Sequence, residues 1–278
     1  MQKNFGQGRI FSAGPPGQGG QTRMKIVTFN IRGDFGIDGA NNFDCRKPLI
    51  LRRLAAEQPD IIGFQEVMPH VQRWLRQSLP GYTVVGCGRT ADYADEAMTL
   101  AIRNDAAELL GLDVFWLSPE PYRPGSRYAH QSECPRTCAA AIVNAAELGR
   151  PVRVYNTHLD HLDAEARLLG LRQILRRMEA DAARLPMPAV LMGDFNATPG
   201  SPELAPLAGE DPPLGLRDLT AQLPLTFHNF YRGQEPCCKI DYLFATPQWK
   251  SAGVCRWMDE ENGVYLSDHY PICARLTL

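Results

Sequence analysis

The sequence predicts an α/β protein in which layered β-sheets are flanked by helices. Short apolar runs bounded by turn residues outnumber the helical patterns along the chain. The helical patterns nevertheless occur on both sides of the middle of the sequence. An excess of strands argues against a helical bundle, and helices in both halves argue against a pure β-sandwich, so stacked layers of both kinds are the expected solution.

The predicted elements begin at Met24. Apolar runs predict strands at 25–31, 60–67, 98–103, 138–145, 152–159, 189–195, 239–245 and 270–278. Helices are predicted at 49–58 and 70–79, each feeding a strand. The clearest helix spans about 163–185, because its apolar residues recur at steps of three and four. Asp163 is its expected N-cap, since a carboxylate there can accept a hydrogen bond from the first turn.

Composition and charge narrow the functional classes. The chain has 278 residues with 44% apolar and 22% charged residues, which is ordinary for a globular protein. A net charge of -2 argues against a broad electrostatic grip on nucleic acid. No apolar run approaches membrane-spanning length and no signal-peptide pattern opens the chain, so a cytoplasmic location with reduced cysteines is expected.

The first 23 residues differ in composition from the rest of the chain. Residues 1–23 are rich in Gly, Gln and Pro and nearly free of apolar periodicity. Such a segment buries too little surface to offset its ordering entropy, so a disordered tail is predicted. Residues 24–278 show no internal repeat and no linker, which favours one domain.

Polar groups interrupt several apolar runs at the point where a strand is predicted to end. These groups are Asn30 in TFNIR, Glu66 in FQEV, His158 in NTHLDH, Asp194 and Asn196 in GDFN, Asp241 in KIDYLF, and Asp268 and His269 in SDHYP. Each alone is typical of a turn or of a structural histidine. Together they supply oxygen ligands, a carboxylate–imidazole pair and hydrogen-bond donors, which is the inventory of a metal-assisted phosphoryl hydrolase.

The order and spelling of these motifs resemble the endonuclease/exonuclease/phosphatase superfamily. The matching segments are TFNIR, PDIIGFQEV, NTHLDH, GDFNATP, KIDYLF and SDHYPI, and they extend over 24–278. FWLSPEPYRPGS and CPRTCAAA further resemble a bacterial branch of uncharacterised metal-dependent hydrolases. Glu96 occupies the position of a glycine–glutamate pair of that branch, with Asp95 in place of the glycine. The resemblance implies a four-layer α/β/β/α sandwich, with two packed mixed sheets flanked by helices as in deoxyribonuclease I.

The resemblance also implies metal and water-handling roles. Glu66 is expected to be the principal metal ligand, assisted by Asn30 and Asp268. Oxygen ligands with room for water favour Mg²⁺, with Mn²⁺ as a substitute. Asp194 is expected to orient or deprotonate the attacking water, and Asn196 to position that water and the phosphate.

Five further residues complete the expected site. His269, polarised by Asp241, should donate to a phosphate oxygen as negative charge develops. The resemblance places His158 in contact with the same phosphate. Arg136 in PRTC is a candidate clamp for that phosphate, with a structural ion pair as the alternative. His228 in TFHNF is expected either to line the substrate pocket or to cap a turn.

The substrate class stays open at this point. A phosphodiesterase acting on a small soluble diester is the leading hypothesis, with a phosphomonoesterase as one alternative. A DNA or RNA nuclease is another, but the chain has no dense Lys/Arg run. A catalytically silent binding protein on the same fold would be expected to have lost one of the metal or acid–base groups, and this chain keeps them. The oligomeric state is not predicted.

Overall fold

The computed structural model describes residues 23–233 and 237–278. The tail predicted at 1–23 therefore lies outside the described residues, apart from Arg23. The strands are β1 (Met24–Asn30), β2 (Ile61–Val67), β3 (Tyr82–Val85), β4 (Ala97–Arg103), β5 (Ala107–Trp116), β6 (Thr137–Ala145), β7 (Arg150–His158), β8 (Ala189–Asp194), β9 (Arg217–Asp218), β10 (Asp241–Ala245), β11 (Lys250–Arg256), β12 (Glu260–Glu261), β13 (Val264–Tyr265) and β14 (Ile272–Thr277). The helices are α1 (Phe43–Glu57), α2 (Pro69–Ser78), α3 (Ala164–Arg184) and α4 (Ala205–Ala208).

Twelve of the described strands form two mixed sheets. One sheet has the order β11-β14-β1-β2-β4-β3, and the other has the order β5-β6-β7-β8-β10-β9. The pairs β1–β2 and β7–β8 are parallel, and the remaining neighbours run antiparallel. β12 and β13 pair as a separate small ribbon. Each sheet thus has one parallel pair at its centre.

Three apolar clusters stack the sheets and helices into four layers. Between the sheets, Ile61 of β2 and Val190 of β8 belong to one buried cluster. Their chain neighbours point the other way, because side chains alternate along a strand. Ile62 packs with α1 and α2 outside the first sheet, and Leu191 packs with α3 outside the second. Leu171 of α3 contributes to this last cluster. The predicted four-layer sandwich is confirmed.

The predicted strands and helices are present with shifted ends. α1 begins at Phe43 instead of near residue 49, although Pro48 lies inside it. Proline favours the start of a helix, which is why the sequence pattern suggested a later beginning. The N-cap of α3 is confirmed, since the Asp163 side chain accepts a 2.6 Å hydrogen bond from Ala166 N.

Six described strands were not revealed by the sequence pattern: β12 and β13 of the small ribbon, and four that lie at the sheet edges. β3, β5, β9 and β11 are the four edge strands of the two sheets. An edge strand has neighbours on one side only and keeps more of its surface in water. β5 accordingly exposes Leu110 and Leu112, and β11 is largely exposed. Edge strands therefore lack the continuous apolar run that marks a central strand.

No helix within 23–233 or 237–278 combines the length and the apolar character needed to cross a bilayer.

Candidate active site

The strand ends that carry polar residues meet at one edge of the sandwich. Asn30, His158 and Asp194 are the last residues of β1, β7 and β8. His158 is opposite Asp194 in the parallel ladder of the second sheet. Asp241 begins β10 and is opposite Asp194 on its other side. The carboxyl ends of the central strands of both sheets are thus the place where the predicted groups converge.

Glu66 owes its position to a bulge near the end of β2. The ladder to β4 shifts register between Phe64 and Val67, and Glu66 has a φ of 59°. A bulge re-aims a side chain that would otherwise follow the strand alternation. The Glu66 carboxylate accepts hydrogen bonds of 2.8 Å from Asn30 Nδ2 and from Gly33 N. Burial would raise its pKa, but these donors hold the pKa of Glu66 below its ordinary value.

Asp194 is held from two directions. Its Oδ1 accepts a 2.9 Å hydrogen bond from Asn196 N, and its Oδ2 accepts a 3.0 Å hydrogen bond from Asn30 Nδ2. Asn30 thereby joins the carboxylates of Glu66 and Asp194, which come from different sheets. Burial and the neighbouring charge of Asp241 raise the pKa of Asp194 to about 7.

His269 and Asp241 form the carboxylate–imidazole pair predicted from the sequence. His269 Nδ1 lies 2.8 Å from Asp241 Oδ2, and both side chains are buried. Burial alone would lower the pKa of His269, but Asp241 and then Asp194 raise it to about 10. The ring is therefore protonated at neutral pH. Its Nε2 lies 3.7 Å from Asp194 Oδ2 and 3.4 Å from Asn30 Nδ2.

His158 and Asn196 form the opposite side of this cluster. Asn196 Nδ2 lies 2.9 Å from His158 Nε2 and 3.1 Å from Leu159 O. Burial and the charges of Arg136 and Arg89 keep the pKa of His158 well below its ordinary value. The imidazole is therefore neutral and accepts the amide hydrogen at Nε2.

Asp268 lies beside the Glu66 carboxylate and faces the loop after β1. Its Oδ1 accepts a 3.0 Å hydrogen bond from Ser267 Oγ, and its Oδ2 lies 3.5 Å from an Arg32 Nη1 atom. Burial and the charge of Glu66 raise the pKa of Asp268. Arg32 is also paired with Asp38 at 3.1 Å, so one guanidinium links that loop to the site.

These side chains border a cleft of about 630 Å³. Of the predicted site residues, those that line it are Glu66, Arg136, His158, Asp194, Asn196, Asp268 and His269. Arg32 also lines the cleft. We name two sets of lining residues, one apolar and one polar, and the polar set includes Arg136. The apolar arm consists of Phe35, Phe227 and Ile240, and the polar arm consists of Arg89, Glu96, Arg136 and His161. Asn30 and Asp241 lie behind the lining residues that they contact.

His228 does not reach the cleft, so the structure contradicts its prediction as a pocket residue. Its ring packs on Tyr231, Tyr265 and Tyr270, with centroids 4.9, 5.1 and 4.3 Å away. Burial and the charge of His269 lower the pKa of His228 to about 4. Its backbone N–H donates a 2.9 Å hydrogen bond to Asp268 O, so this residue supports the site through the main chain.

The hydrogen bonds of Asn30 determine how its amide is oriented at the site. Its side-chain oxygen accepts a 3.0 Å hydrogen bond from Arg32 N, and its N–H₂ group faces the carboxylates. In this arrangement the Asn30 amide fixes the two carboxylates, and its role as a metal ligand stays a prediction.

Sequence reasoning gave no role to Arg32, Arg89, Glu96 and His161. None of them ends a central strand, and each reaches the cleft from a loop or from the start of β4. A single guanidinium or imidazole in a polar loop has no local pattern that separates it from surface residues. Only the chain's long-range folding places these groups beside the strand ends.

The donor set fits a hard divalent cation. Ligand atoms of Glu66, His158 and Asp194 lie within 4.8 Å of one another. A second group of Asp194, Asp241 and His269 is equally close, but His269 carries a proton and is already bonded to Asp241. Carboxylate oxygens that border open space are the ligands that Mg²⁺ and Mn²⁺ prefer.

The fold and this site define a class. Two mixed sheets between helices, with carboxylates and an Asp–His pair at one strand-end edge, are the features of DNase I-like hydrolases. The sequence comparison agrees. The chain belongs to the endonuclease/exonuclease/phosphatase family, whose model matches residues 27–269.

Solved structures extend this similarity to nearly the whole fold. An endonuclease/exonuclease/phosphatase from Bacteroides vulgatus is 33% identical, with a TM-score of 0.84 over 93% of this chain and 100% of that chain. A mannosyl-6-phosphatase from Bacteroides thetaiotaomicron shares the fold at 24% identity, with a TM-score of 0.81 over 92% of this chain and 100% of that chain.

Zebrafish (D. rerio) TDP2 bound to a single-stranded DNA product shares the fold at 18% identity, with a TM-score of 0.73 over 92% of this chain and 100% of that chain. A comparison with curated protein sequences gave no match.

Proposed function

We propose that this protein is a divalent-cation-dependent phosphodiesterase that hydrolyses a small soluble diester with water. The observation that carries the proposal is the position of Asp194. Its carboxylate lies 3.7 Å from the protonated His269 ring and is joined through Asn30 to Glu66. A base, an acid and an anionic metal ligand therefore face one cleft.

His269 supplies a positive charge and a hydrogen-bond donor for the scissile phosphate. With Asp241 holding Nδ1, the Nε2–H group is directed to an oxygen of the scissile phosphate. The charge on that oxygen grows during attack, so a fixed donor there stabilises the transition state more than the substrate.

Asp194 is the proposed general base that deprotonates the attacking water. Its carboxylate takes one proton as the water oxygen forms the new P–O bond, and the ester P–O bond breaks to release an alkoxide. The alkoxide takes up a proton from solvent water to become the alcohol. A pKa of about 7 is suited to a base that works near neutral pH. Asn196 holds the other oxygen of Asp194 through its backbone N–H and directs its own amide toward the cleft wall at His158.

Glu66 and Asp268 are the proposed ligands of Mg²⁺, with Mn²⁺ as a substitute. A bound cation would withdraw electron density from the phosphoryl group and neutralise part of its charge. Asn30 keeps Glu66 and Asp194 in place for this role through its two hydrogen bonds.

The size and mixed lining of the cleft favour a diester. A cleft of about 630 Å³ has room for two ester substituents on one phosphate, and both apolar and polar residues line it. Phe227 of the apolar arm packs on His269 with centroids 4.9 Å apart. Arg136 of the polar arm acts through its charge on His158.

A phosphomonoesterase is the second candidate. Arg136 has an Nη1 group without a hydrogen-bond partner among the described residues, and it could neutralise the second charge of a monoester. The mannosyl-6-phosphatase with the same fold is consistent with that reaction. A nuclease is less well supported, because carboxylates balance the arginines that line the cleft. The cytoplasmic location stays a prediction.

The test is hydrolysis of bis-p-nitrophenyl phosphate and p-nitrophenyl phosphate with Mg²⁺, Mn²⁺ or EDTA. Cation-dependent release from the diester, lost in Glu66→Gln and kept in the exposed control Glu108→Gln, would support the phosphodiesterase. Preference for the monoester would select the phosphatase. No release from either ester, together with no Mn²⁺ binding that Glu66→Gln abolishes, would leave a silent binding protein.

A further inference from the structure

The polar arm contains more fixed polar groups than the hydrolytic chemistry uses. Arg136 borders the phosphate site, but Arg89, Glu96 and His161 have no part in the steps proposed above. All of them line the same cleft. Burying charges on a cleft wall costs desolvation free energy, which a role in binding would explain.

Arg89 and Glu96 form a buried ion pair on this wall. Arg89 Nη1 lies 2.6 Å from Glu96 Oε2, and the two side chains are 8% and 7% exposed. Arg89 Nε also donates to Asp95 Oδ2 at 3.0 Å. Among the described residues, Arg89 is the only hydrogen-bond donor to the Glu96 carboxylate. The carboxylate therefore keeps acceptor capacity toward the cleft.

Arg136 and His161 provide donors beside that acceptor. Arg136 is 5% exposed, and its Nη2 lies 2.9 Å from His161 Nδ1. Since Nδ1 accepts this hydrogen bond, the proton of the neutral ring is on Nε2. Arg136 Nε is buried without a hydrogen-bond partner and lies 3.8 Å from Asp160 Oδ2. In the part of the chain that the structure describes, neither Nη1 nor the imidazole Nε2 has a partner.

The charges of the wall argue against a second anionic group in this arm. Its two guanidinium groups, Arg89 and Arg136, are matched by the carboxylates of Asp95 and Asp160. Burial and the charge of Glu66 raise the pKa of Glu96 to about 7, so Glu96 adds a partial negative charge at neutral pH. Burial and the charge of Arg136 lower the pKa of His161, so its ring adds no positive charge. A phosphate or carboxylate placed here would meet Glu96 without excess positive charge to hold it.

We infer that the polar arm binds the hydroxyl groups of a polyhydroxylated alcohol, such as a sugar, esterified to the phosphate. A hydroxyl group donates and accepts at once, and this wall offers acceptors at Glu96 next to donors at Arg136 and His161. A site built to bond hydroxyls rejects an analogue that lacks them, because its own polar groups are then left unpaired. The inference rests on the proposed function and names its substrate class.

The test compares two diesters that differ in the hydroxyl groups and the ring oxygen of the alcohol. One is the p-nitrophenyl diester of a hexose 6-phosphate, and the other is p-nitrophenyl cyclohexylmethyl phosphate, which has the same ring size. We expect kcat/KM to favour the sugar ester by about tenfold or more, the value of one or two charge-assisted hydrogen bonds. Equal values for the two diesters would overturn the inference.

Two variants assign the selectivity to the polar arm. His161→Phe keeps an aromatic ring at an exposed position but removes the donor, and Glu96→Gln removes the charge of the acceptor. Each should reduce the sugar preference about threefold to tenfold. His130→Phe, at an exposed histidine outside the cleft, is the matched control and should keep the preference.

A binding measurement separates this inference from the proposed function. Calorimetry on the Asp194→Asn variant compares hexose 6-phosphate, cyclohexylmethyl phosphate and hexane-1,6-diol bisphosphate. Preference for the sugar that His161→Phe removes supports the inference even if bis-p-nitrophenyl phosphate is not hydrolysed. Tightest binding of the bisphosphate would overturn it and make the arm an anion site. If bis-p-nitrophenyl phosphate is hydrolysed but no sugar preference is measured, the inference about the polar arm is overturned and the proposed function stands.

Discussion

At the scale of single residues, the site depends on pairs in which one group sets the state of another. Asp241 is removed from the cleft, yet it keeps His269 protonated from a distance of 2.8 Å. Asn30 makes no contact with the cleft, yet it bonds both Glu66 and Asp194. The residues behind the lining groups thus decide which charges the cleft presents.

Replacing Asp194 by Asn tests the proposed base with little change of shape. Turnover of bis-p-nitrophenyl phosphate should fall about a hundredfold or more, the usual loss when a positioned acid–base group is removed. The melting temperature should fall only slightly, because the amide keeps one of the two hydrogen bonds that Asp194 accepts, and burial and Asp241 already disfavour the charge. Steady-state kinetics and thermal unfolding measure both effects, and a variant within a few fold of wild-type turnover would exclude this role.

The pH profile follows from the two titrating groups. Activity requires Asp194 deprotonated and His269 protonated, so kcat/KM of the enzyme should rise through about 7 and fall through about 10. Asp241→Asn removes the charge that raises the pKa of His269, and the alkaline fall should move to lower pH. An unchanged alkaline limb in that variant would show that another group controls it.

The Asp241–His269 pair also makes the stability of the fold depend on pH. The pKa of His269 is raised from 6.5 to about 10 in the folded protein. Its contribution is therefore complete below 6.5 and is lost as the pH rises through about 10. Urea unfolding at pH 6, 8 and 10 should show this loss in the wild type, and Asp241→Asn should show less of it.

At the scale of secondary-structure elements, the ends of β2 and β8 are shaped to present their carboxylates. The bulge at Glu66 turns one carboxylate toward the cleft. In β8, Gly193 has a φ of +146°, and a Cβ there would lie 1.9 Å from Thr157 O. The parallel ladder of β7 and β8 can close around Asp194 only because this position has no side chain.

Gly193→Ala should therefore be much more damaging than an ordinary glycine substitution. The backbone conformation and the overlap with Thr157 O should cost about 3 kcal/mol or more of unfolding free energy. Gly149→Ala is the matched control, since its φ is +62° but no atom lies within 4 Å of the added Cβ. That variant should lose only about 1 kcal/mol in the same urea titration. Similar losses in both would refute the steric argument.

At the scale of the whole molecule, the cleft is built from both sheets. Glu66 belongs to the first sheet, and His158 and Asp194 belong to the second. Without a cation, the carboxylates of Glu66 and Asp268 repel each other across the site. An ion bound by these two carboxylates would offset this repulsion only in the folded state.

Mn²⁺ should accordingly raise the melting temperature of the wild type. At a concentration one hundred times Kd, the stabilisation is about 2.7 kcal/mol, which corresponds to several degrees for a protein of this size. Glu66→Gln should lose most of this shift, whereas Glu108→Gln should keep it. An equal shift in Glu66→Gln would place the ion elsewhere.

Much of the fold was predictable because central strands are buried on both faces and leave continuous apolar runs. Phe64 and Leu191 are signals of this kind, and the polar groups that follow such runs marked the strand ends. Edge strands such as β5 lacked the signal, because half of their surroundings is water. The site residues at the ends of central strands were visible for the same reason as those strands. Of the polar arm, the sequence singled out Arg136 and Glu96 but gave no signal for Arg89 and His161.

The sequence by itself determined the layered α/β class, the helix beginning at Asp163 and the residue types that end the central strands, because periodicity and turn chemistry are local properties of the chain. Only the tertiary structure decided how these groups face one another. It turned the N–H₂ group of Asn30 toward the carboxylates, buried His228 among tyrosines and brought Arg89 and Glu96 to the cleft. Those outcomes depend on contacts between residues that are distant in sequence, and no local pattern encodes them.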